Sequence, residues 1–396
     1  MAFKRKTTVA DLAGQMKDRA AEEPEAVDLG EWDTDNLIPS GSTLLNLACS
    51  DNPMGAFCKG KIVNIIGDPS AGKTLLALTI VAEMSIDSKW DDYDIYYDPC
   101  ESGDSFNIEK TFGKRLADRL KPPFFDEEGV PDSSDTVQRF HATLDRILDG
   151  DKPFVYILDS LDGLSSLEEQ ANAEARHKAL ENNKKIKGSY GGTKPKSMSE
   201  LLRLLNRRIK RTGSLLIILS QTRDNLDAGP FQPKKTVTGG KALEFYCAHR
   251  IWLYKAGHID KMKRKIGTHT QARVTKNKLT GKLREVDFDV YYDYGVDDHS
   301  SCIGFLLDEG VFKAPGTKKG KEQDEDGDSE SESTKKKGLP KAIVAEALGY
   351  AQAMSPEQLV LAVDEFNLKP ALVKLTADKW TEIEESLKLN RTPKYQ

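Results

Sequence analysis

The chain has 396 residues, 38% of them hydrophobic and 31% charged, with a formal net charge of −5 at pH 7. That is material for one large core and a smaller domain; no run approaches the roughly 18 apolar residues of a membrane span, and Met1-Ala2-Phe3-Lys4-Arg5-Lys6 lacks a signal peptide's apolar stretch, so a cytoplasmic protein without a membrane partner is expected. Five scattered cysteines without any CxxC, and six scattered histidines, argue against a disulfide framework or a zinc site.

The first predicted element is a short amphipathic helix over Thr8–Ala21, followed by the acidic stretch Glu22–Asp33. From about Ile38 to Leu307, strand-like runs alternate with helical periodicity, the pattern of an α/β fold with a mostly parallel sheet. The strand at Lys61–Ile66 leads into Gly67-Asp68-Pro69-Ser70-Ala71-Gly72-Lys73-Thr74, a complete G-x-x-x-x-G-K-[ST] phosphate loop, and then a helix over Leu75–Met84. The two glycines let backbone N–H groups close around phosphates, Lys73 supplies a point charge and Thr74 offers a hydroxyl to Mg²⁺. A nucleoside triphosphate site is therefore predicted.

Next comes a strand at Asp94–Asp98, with Glu101 just beyond it after Pro99 and Cys100. Glu101 there either polarises an attacking water as general base or is a solvated turn glutamate. The run Phe154–Leu158 ends in Asp159-Ser160, the way a P-loop fold supplies a carboxylate to Mg²⁺, although a buried strand closed by an ordinary Asp turn looks the same. Residues 171–211 hold twelve Lys/Arg against three acids. Within them Arg176, Lys178, Lys184, Lys185, Lys187, Lys194 and Lys196 surround Tyr190-Gly191-Gly192 in what reads as a loop. Ser197-Met198-Ser199-Glu200 then reads as a capping box opening a helix through Leu201, Leu202, Leu204, Leu205 and Ile209.

The strand at Ser214–Leu219 is followed by Gln221, an amide at a strand's carboxyl end, where it can bond a γ-phosphate or merely cap the strand. The segment from Arg223 to Val237 carries Phe231, Lys234 and Lys235: cations that neutralise phosphates, and an aromatic that stacks on bases or packs beneath its own loop. Strands at Arg250–Tyr254, Arg273–Lys276 and Val286–Tyr291 follow. Gly316–Gly338 has no apolar residue and reads as a disordered linker. Its 322–332 stretch has seven acids and no base, either a spacer or a competitor for a basic surface. Leu339–Leu389 regains helical periodicity, with breaks expected near Pro356, Pro370 and Thr376.

Taken in order, the phosphate loop, Asp159-Ser160, Gln221-Thr222-Arg223, Thr238-Gly239-Gly240-Lys241-Ala242-Leu243-Glu244-Phe245-Tyr246 and Arg273-Val274-Thr275-Lys276-Asn277-Lys278 resemble the RecA recombinases. The resemblance spans roughly Ile38 to Leu307, and its T-x-G-G-x-A-L-x-F-Y and K-N-K strings are specific. Diverged ends and a second residue between the strand-end Asp98 and Glu101 point towards bacteriophage strand-exchange proteins of the UvsX kind.

The resemblance implies a RecA-like P-loop core with ATP and Mg²⁺ as cofactors. Residues Gly67, Asp68, Pro69, Ser70, Ala71, Gly72, Lys73 and Thr74 would cradle the nucleotide with Asp159, and Thr74 and Asp159 would hold the metal. Lys73 and Glu101 would serve catalysis, Gln221 would sense the γ-phosphate, and Lys276 and Lys278 would reach a neighbouring subunit's ATP. Phe245 would pack on the next subunit. Two DNA-binding loops would carry Arg176, Lys184, Lys185, Lys187, Tyr190, Lys194 and Lys196 in the first, and Arg223, Phe231, Lys234 and Lys235 in the second. The implied organisation is an N-terminal helix and linker with a possible subunit contact (1–37), the ATPase core (38–315), the charged linker (316–338) and a small helical domain (339–396). The implied activity is DNA-stimulated ATP hydrolysis in a filament on single-stranded DNA that pairs with homologous duplex, with single-strand-binding and mediator proteins as further partners. The rival readings are a RecA-like hexameric helicase and a non-catalytic ATP-gated DNA-binding protein.

Overall fold

The computed structural model describes residues 35–101, 107–181, 193–224, 235–238, 240–315 and 339–391. The expected helix over Thr8–Ala21, the charged segment Gly316–Gly338, and Lys184, Lys185, Lys187, Tyr190, Phe231 and Lys234 lie outside the described residues. The described chain divides into two compact units, residues 35–301 and residues 302–315 with 339–391.

The larger unit is built on a ten-stranded sheet. Its strands are β1 (Lys61–Gly67), β2 (Asp94–Pro99), β3 (Leu120–Lys121), β4 (Phe154–Asp159), β5 (Leu215–Asp224), β6 (Lys235–Val237), β7 (His249–Lys261), β8 (Arg264–Asn277), β9 (Glu285–Tyr291) and β10 (Gly295–Asp297). The spatial order is β10-β9-β8-β7-β1-β5-β4-β2-β3, with β6 paired to the far end of β5. The pairs from β7 through β1, β5, β4 and β2 to β3 are parallel. Those from β7 to β10 are antiparallel. Every residue of β4 and all of β1 but Lys61 are buried, as expected of parallel strands covered on both faces. Because β1, β5, β4 and β2 run the same way, their carboxyl ends emerge along one edge, where ligands bind in open α/β sheets.

Helices α1 (Lys73–Ile86), α2 (Val137–Asp149), α3 (Leu167–Glu181), α4 (Thr193–Thr212), α5 (Gly240–Tyr246) and α6 (Asp298–Asp308) complete the core's main elements. Met198, Leu201, Leu202, Leu205 and Ile209 make a helical stripe on α4 that packs with Phe140 and Leu144 of α2 against Tyr156, Leu216 and Ile218 of the sheet. The division between the two units falls inside α6.

Two expectations about the basic segment are corrected. Helix α4 starts at Thr193, not after a capping box at Ser197–Glu200, so Lys194 and Lys196 belong to its first turns. Ser197 instead accepts a hydrogen bond from the Gln138 amide, and buried Lys194 donates to the Leu164 carbonyl, which carries the helix back beyond Met198. Arg176 and Lys178 are likewise helical, in α3, whose start is the reciprocal pair Ser166 N–H to Glu169 Oε2 (2.9 Å) and Glu169 N–H to Ser166 Oγ (3.2 Å).

Strands β7 and β8 also run well beyond Arg250–Tyr254 and Arg273–Lys276, as one long hairpin. Its tip residues Met262 (φ 51°) and Lys263 (φ 63°) both take positive φ, the turn geometry that matches the twist of paired strands.

The smaller unit is helical apart from an antiparallel ribbon of Ile343–Ala345 (β11) and Tyr350–Met354 (β12). Helix α7 (Pro356–Glu365) starts at a Ser355–Gln358 capping box with Pro356 in its first turn, and α8 (Lys369–Ser386) has Pro370 in its own. The expected break at Thr376 is absent: its buried hydroxyl donates to the Leu372 carbonyl inside α8. Ile343, Leu348, Leu359, Val363 and Leu372 share a core with Cys302, Ile303, Leu306 and Phe312. No helix among the described residues is long and apolar enough to cross a membrane.

One buried polar contact links this packing to the site. The fully buried Asp98 carboxylate accepts from the Tyr156 hydroxyl at 2.5 Å and the Ser134 N–H at 2.8 Å. Tyr156→Phe deprives a buried carboxylate of a donor, and we expect a loss of roughly 1.5–3 kcal/mol in the opening free energy of β4, the range for hydrogen bonds to charged groups. Amide hydrogen exchange of β4 measures it, and a loss below about 0.5 kcal/mol, the level of an ordinary surface substitution, would contradict the assignment.

Candidate functional site

The phosphate loop needs its two glycines for different reasons. A Cβ on Gly67 would stand 2.8 Å from the Leu253 carbonyl oxygen, so β7 leaves no room for one. At Gly72 there is room, but φ is +93°, which an L side chain rarely adopts. Gly72 caps α1 without any side-chain hydrogen bond, so the first-turn amides face outward for an anion.

Lys73 is 8% exposed, and its ammonium donates to the carbonyls of Gly67 (3.0 Å) and Asp68 (2.9 Å). Burial pulls its pKa below the usual lysine value, opposed by the nearby Asp159, Glu101, Asp162 and Asp68 carboxylates. The Thr74 hydroxyl donates to Asp159 Oδ2 at 2.7 Å, and the Tyr97 hydroxyl donates to the same oxygen at 3.1 Å. Desolvation pushes the Asp159 pKa up against these two bonds. A hydroxyl and a carboxylate side by side next to a lysine and a helix start are a donor set that fits Mg²⁺ with a triphosphate.

Glu101 reaches the same corner despite the extra residue before it. Its Oε1 accepts from the Gln221 side-chain amide at 2.6 Å and from the Ser160 hydroxyl. The turn that delivers it is compact: Cys100 N–H bonds the Asp98 carbonyl at 3.1 Å, and Glu101 N–H bonds the Asp159 carbonyl at 3.3 Å. A Cβ on Gly163 would lie 2.4 Å from the Cys100 carbonyl oxygen, so a glycine is required where that turn crosses. Gln221 is level with Gly67 in the β1–β5 pairing, which puts its amide beside the phosphate loop.

Sequence reasoning missed one wall of the site. A cavity of about 230 Å³ beside the loop is lined by Ser70, Gly72, Lys73, Thr74 and Leu75 on one side and by Thr268, Val290 and Tyr292 on the other. The second group comes from the antiparallel β8–β9 region, which carries no phosphate motif; the aromatic cluster Tyr291-Tyr292-Asp293-Tyr294 was the available signal.

The described basic residues are dispersed. Arg176 and Lys196 are exposed on α3 and α4, whereas Lys194 is buried. Arg223 lies 3.4 Å from Asp162, and Lys235 is paired with Asp68. Lys276 and Lys278 both donate to the Phe245 carbonyl, at 2.9 and 3.0 Å, at the carboxyl end of α5, where cations are favoured. Phe245 itself is 68% exposed, with the Lys278 ammonium 5.6 Å from its ring centre.

Comparison with known proteins gives one consistent result. The RecA N-terminal domain family matches residues 174–297. Protein RecA of Methylococcus capsulatus is 30% identical over 276 residues, 70% of this chain and 70% of the relative. Protein RecA of Allochromatium vinosum is 28% identical over 289 residues, 73% of this chain and 75% of the relative, and that of Rubrobacter xylanophilus is 27% identical over 279 residues, 70% and 72%.

The state of Asp159 makes a stability prediction whose sign is fixed. A carboxyl whose folded pKa lies above its reference of 3.8 adds to stability only while protonated, and that contribution is lost as pH rises through the raised value. Asp159→Asn keeps an oxygen to accept from Thr74 and Tyr97 but carries no charge. It should therefore melt above the natural chain at pH 7, with the gap closing as pH falls towards 3.8. Thermal melts across that range decide; a lower melting temperature at pH 7 would contradict the burial argument.

Proposed function

The chain belongs to the RecA family, and we propose that it is an ATP-dependent recombination protein that assembles as a filament on single-stranded DNA and promotes homologous pairing and strand exchange. The observation that carries this reading is the contact between Glu101 and Gln221 at 2.6 Å, which joins a candidate general base to a residue just before the second DNA-facing segment. In this proposal the first-turn amides of α1 and Lys73 bind the ATP phosphates, and Thr74 and Asp159 hold Mg²⁺, which supplies charge neutralisation on the phosphates. Glu101 takes a proton from the attacking water. Gln221 moves between Glu101 and the γ-phosphate and shifts Thr222 and Arg223 with it. Arg176, Lys196, Arg223 and Lys235, with the basic residues beyond the described ones, contact the DNA backbone without reading sequence. Lys276, Lys278 and Phe245, grouped on one exposed corner, act at the contact with a neighbouring subunit. A bacteriophage origin is part of the proposal and rests on the second residue between Asp98 and Glu101.

Two experiments test it. Circular single-stranded DNA, homologous linear duplex and ATP should yield joint molecules, with filaments visible by electron microscopy; rings without joint molecules would refute the reading. Glu101→Gln should keep ATP binding and slow hydrolysis by on the order of 10²–10⁴-fold, the usual span for loss of a general base. Turnover near that of the natural chain would remove Glu101 from that role.

A further inference from the structure

The pairing of β5 with β6 is only three residues long: Thr222 opposite Val237, Arg223 opposite Thr236 and Asp224 opposite Lys235. A two-stranded ribbon this short is marginally stable at best in water, so side-chain anchors decide whether it holds. Because side chains alternate across a strand, Thr222 and Lys235 share one face of the ribbon, while Arg223 lies on the other. Each face meets its own carboxylate. Asp68, in the phosphate loop, accepts from the Thr222 hydroxyl on Oδ1 and from the Lys235 ammonium on Oδ2. Asp162, in the turn that follows Asp159, accepts from the Gln221 backbone N–H at 2.6 Å on Oδ2, and from Arg223 (3.4 Å) and the Thr238 hydroxyl on Oδ1. The Lys235 and Thr222 bonds also hold the Asp68 pKa below the ordinary carboxylate value.

We propose that Asp68 and Asp162 are positioning residues that clamp this ribbon from both faces, tying the second DNA-facing segment to the phosphate loop and to the turn after Asp159. The inference rests on the reading of those two turns as the ATP site. Nucleotide that moves either turn then moves the ribbon, by a route separate from the Gln221 amide. Arg223 and Lys235, the two cations at the base of the segment, exchange a carboxylate partner for a DNA phosphate when DNA binds.

The test uses the full chain with Thr222→Val, Asp162→Asn and their combination, none of which removes a group assigned to nucleotide or DNA contact. Two quantities are read: amide exchange of residues 222–224 and 235–237 without added ligand, and the ratio of single-stranded DNA affinity with ATP to that without. Each single change should speed exchange of the ribbon by about three- to tenfold, as befits partly exposed charge-assisted bonds. The affinity ratio should shrink by a similar factor, and Asp162→Glu should recover part of it. Unchanged exchange overturns the clamp, and so does faster exchange with the ratio intact, because a purely structural fastener would do that. A natural chain whose DNA affinity ignores ATP would instead overturn the functional reading beneath the clamp; the cases are told apart by whether the natural chain responds.

Discussion

Asn64 of β1 is buried in the middle of the sheet, and its side-chain amide donates to the Ile218 carbonyl and the Ser220 hydroxyl of β5, both at 2.9 Å. Apolar residues alone would hold these two strands together without preferring one register, since both faces are covered and most positions on each strand are apolar. The directional N–H donors of a buried amide, both met in this register, select one alignment. That alignment sets Gly67 opposite Gln221 and leaves β5 between the strand that ends in the phosphate loop and the strand that ends in Asp159. The place of Gln221 beside the phosphate loop depends on it.

The charges at this edge explain why the arrangement costs stability. Lys73 and Asp159 are both largely desolvated, and each is drawn towards its neutral form by burial. The nearby carboxylates oppose that shift at Lys73, and the Thr74 and Tyr97 hydroxyls and Lys73 oppose it at Asp159, at a site where an apolar pair would pack more favourably. Such local destabilisation is characteristic of sites organised for a ligand that brings its own charge. Support comes from below, through Asp98 held by Tyr156 and Ser134, which fixes the turn carrying Glu101.

Contiguous strings made much of this legible. The phosphate loop, Asp159-Ser160 and Gln221 each follow an apolar run, so a strand and a candidate functional residue could be read together, although β5 runs on past Gln221 to Asp224. The parallel order of the central strands followed from the alternation of strands and helices. What escaped reading was assembled across the sequence. The Asp98–Tyr156 bond joins residues 58 apart, and the Tyr292 wall comes from an antiparallel extension without a motif. Helix boundaries near the basic segment were misread because two S-x-x-E strings compete: Ser166–Glu169 caps a helix, whereas Ser197–Glu200 lies inside one. The β7–β8 hairpin was seen only in its apolar halves, because its tip is dense in lysine and arginine, which hide a strand's alternation.

The central claim is that one strand edge joins nucleotide chemistry to a DNA-facing surface. Its most direct test is steady-state ATP turnover by the full chain as single-stranded DNA is titrated in at fixed Mg²⁺. The account predicts low turnover without DNA and a saturable rise as DNA is added, weakened by salt in step with the loss of phosphate contacts. Turnover that stays the same from no DNA to saturating DNA would contradict it.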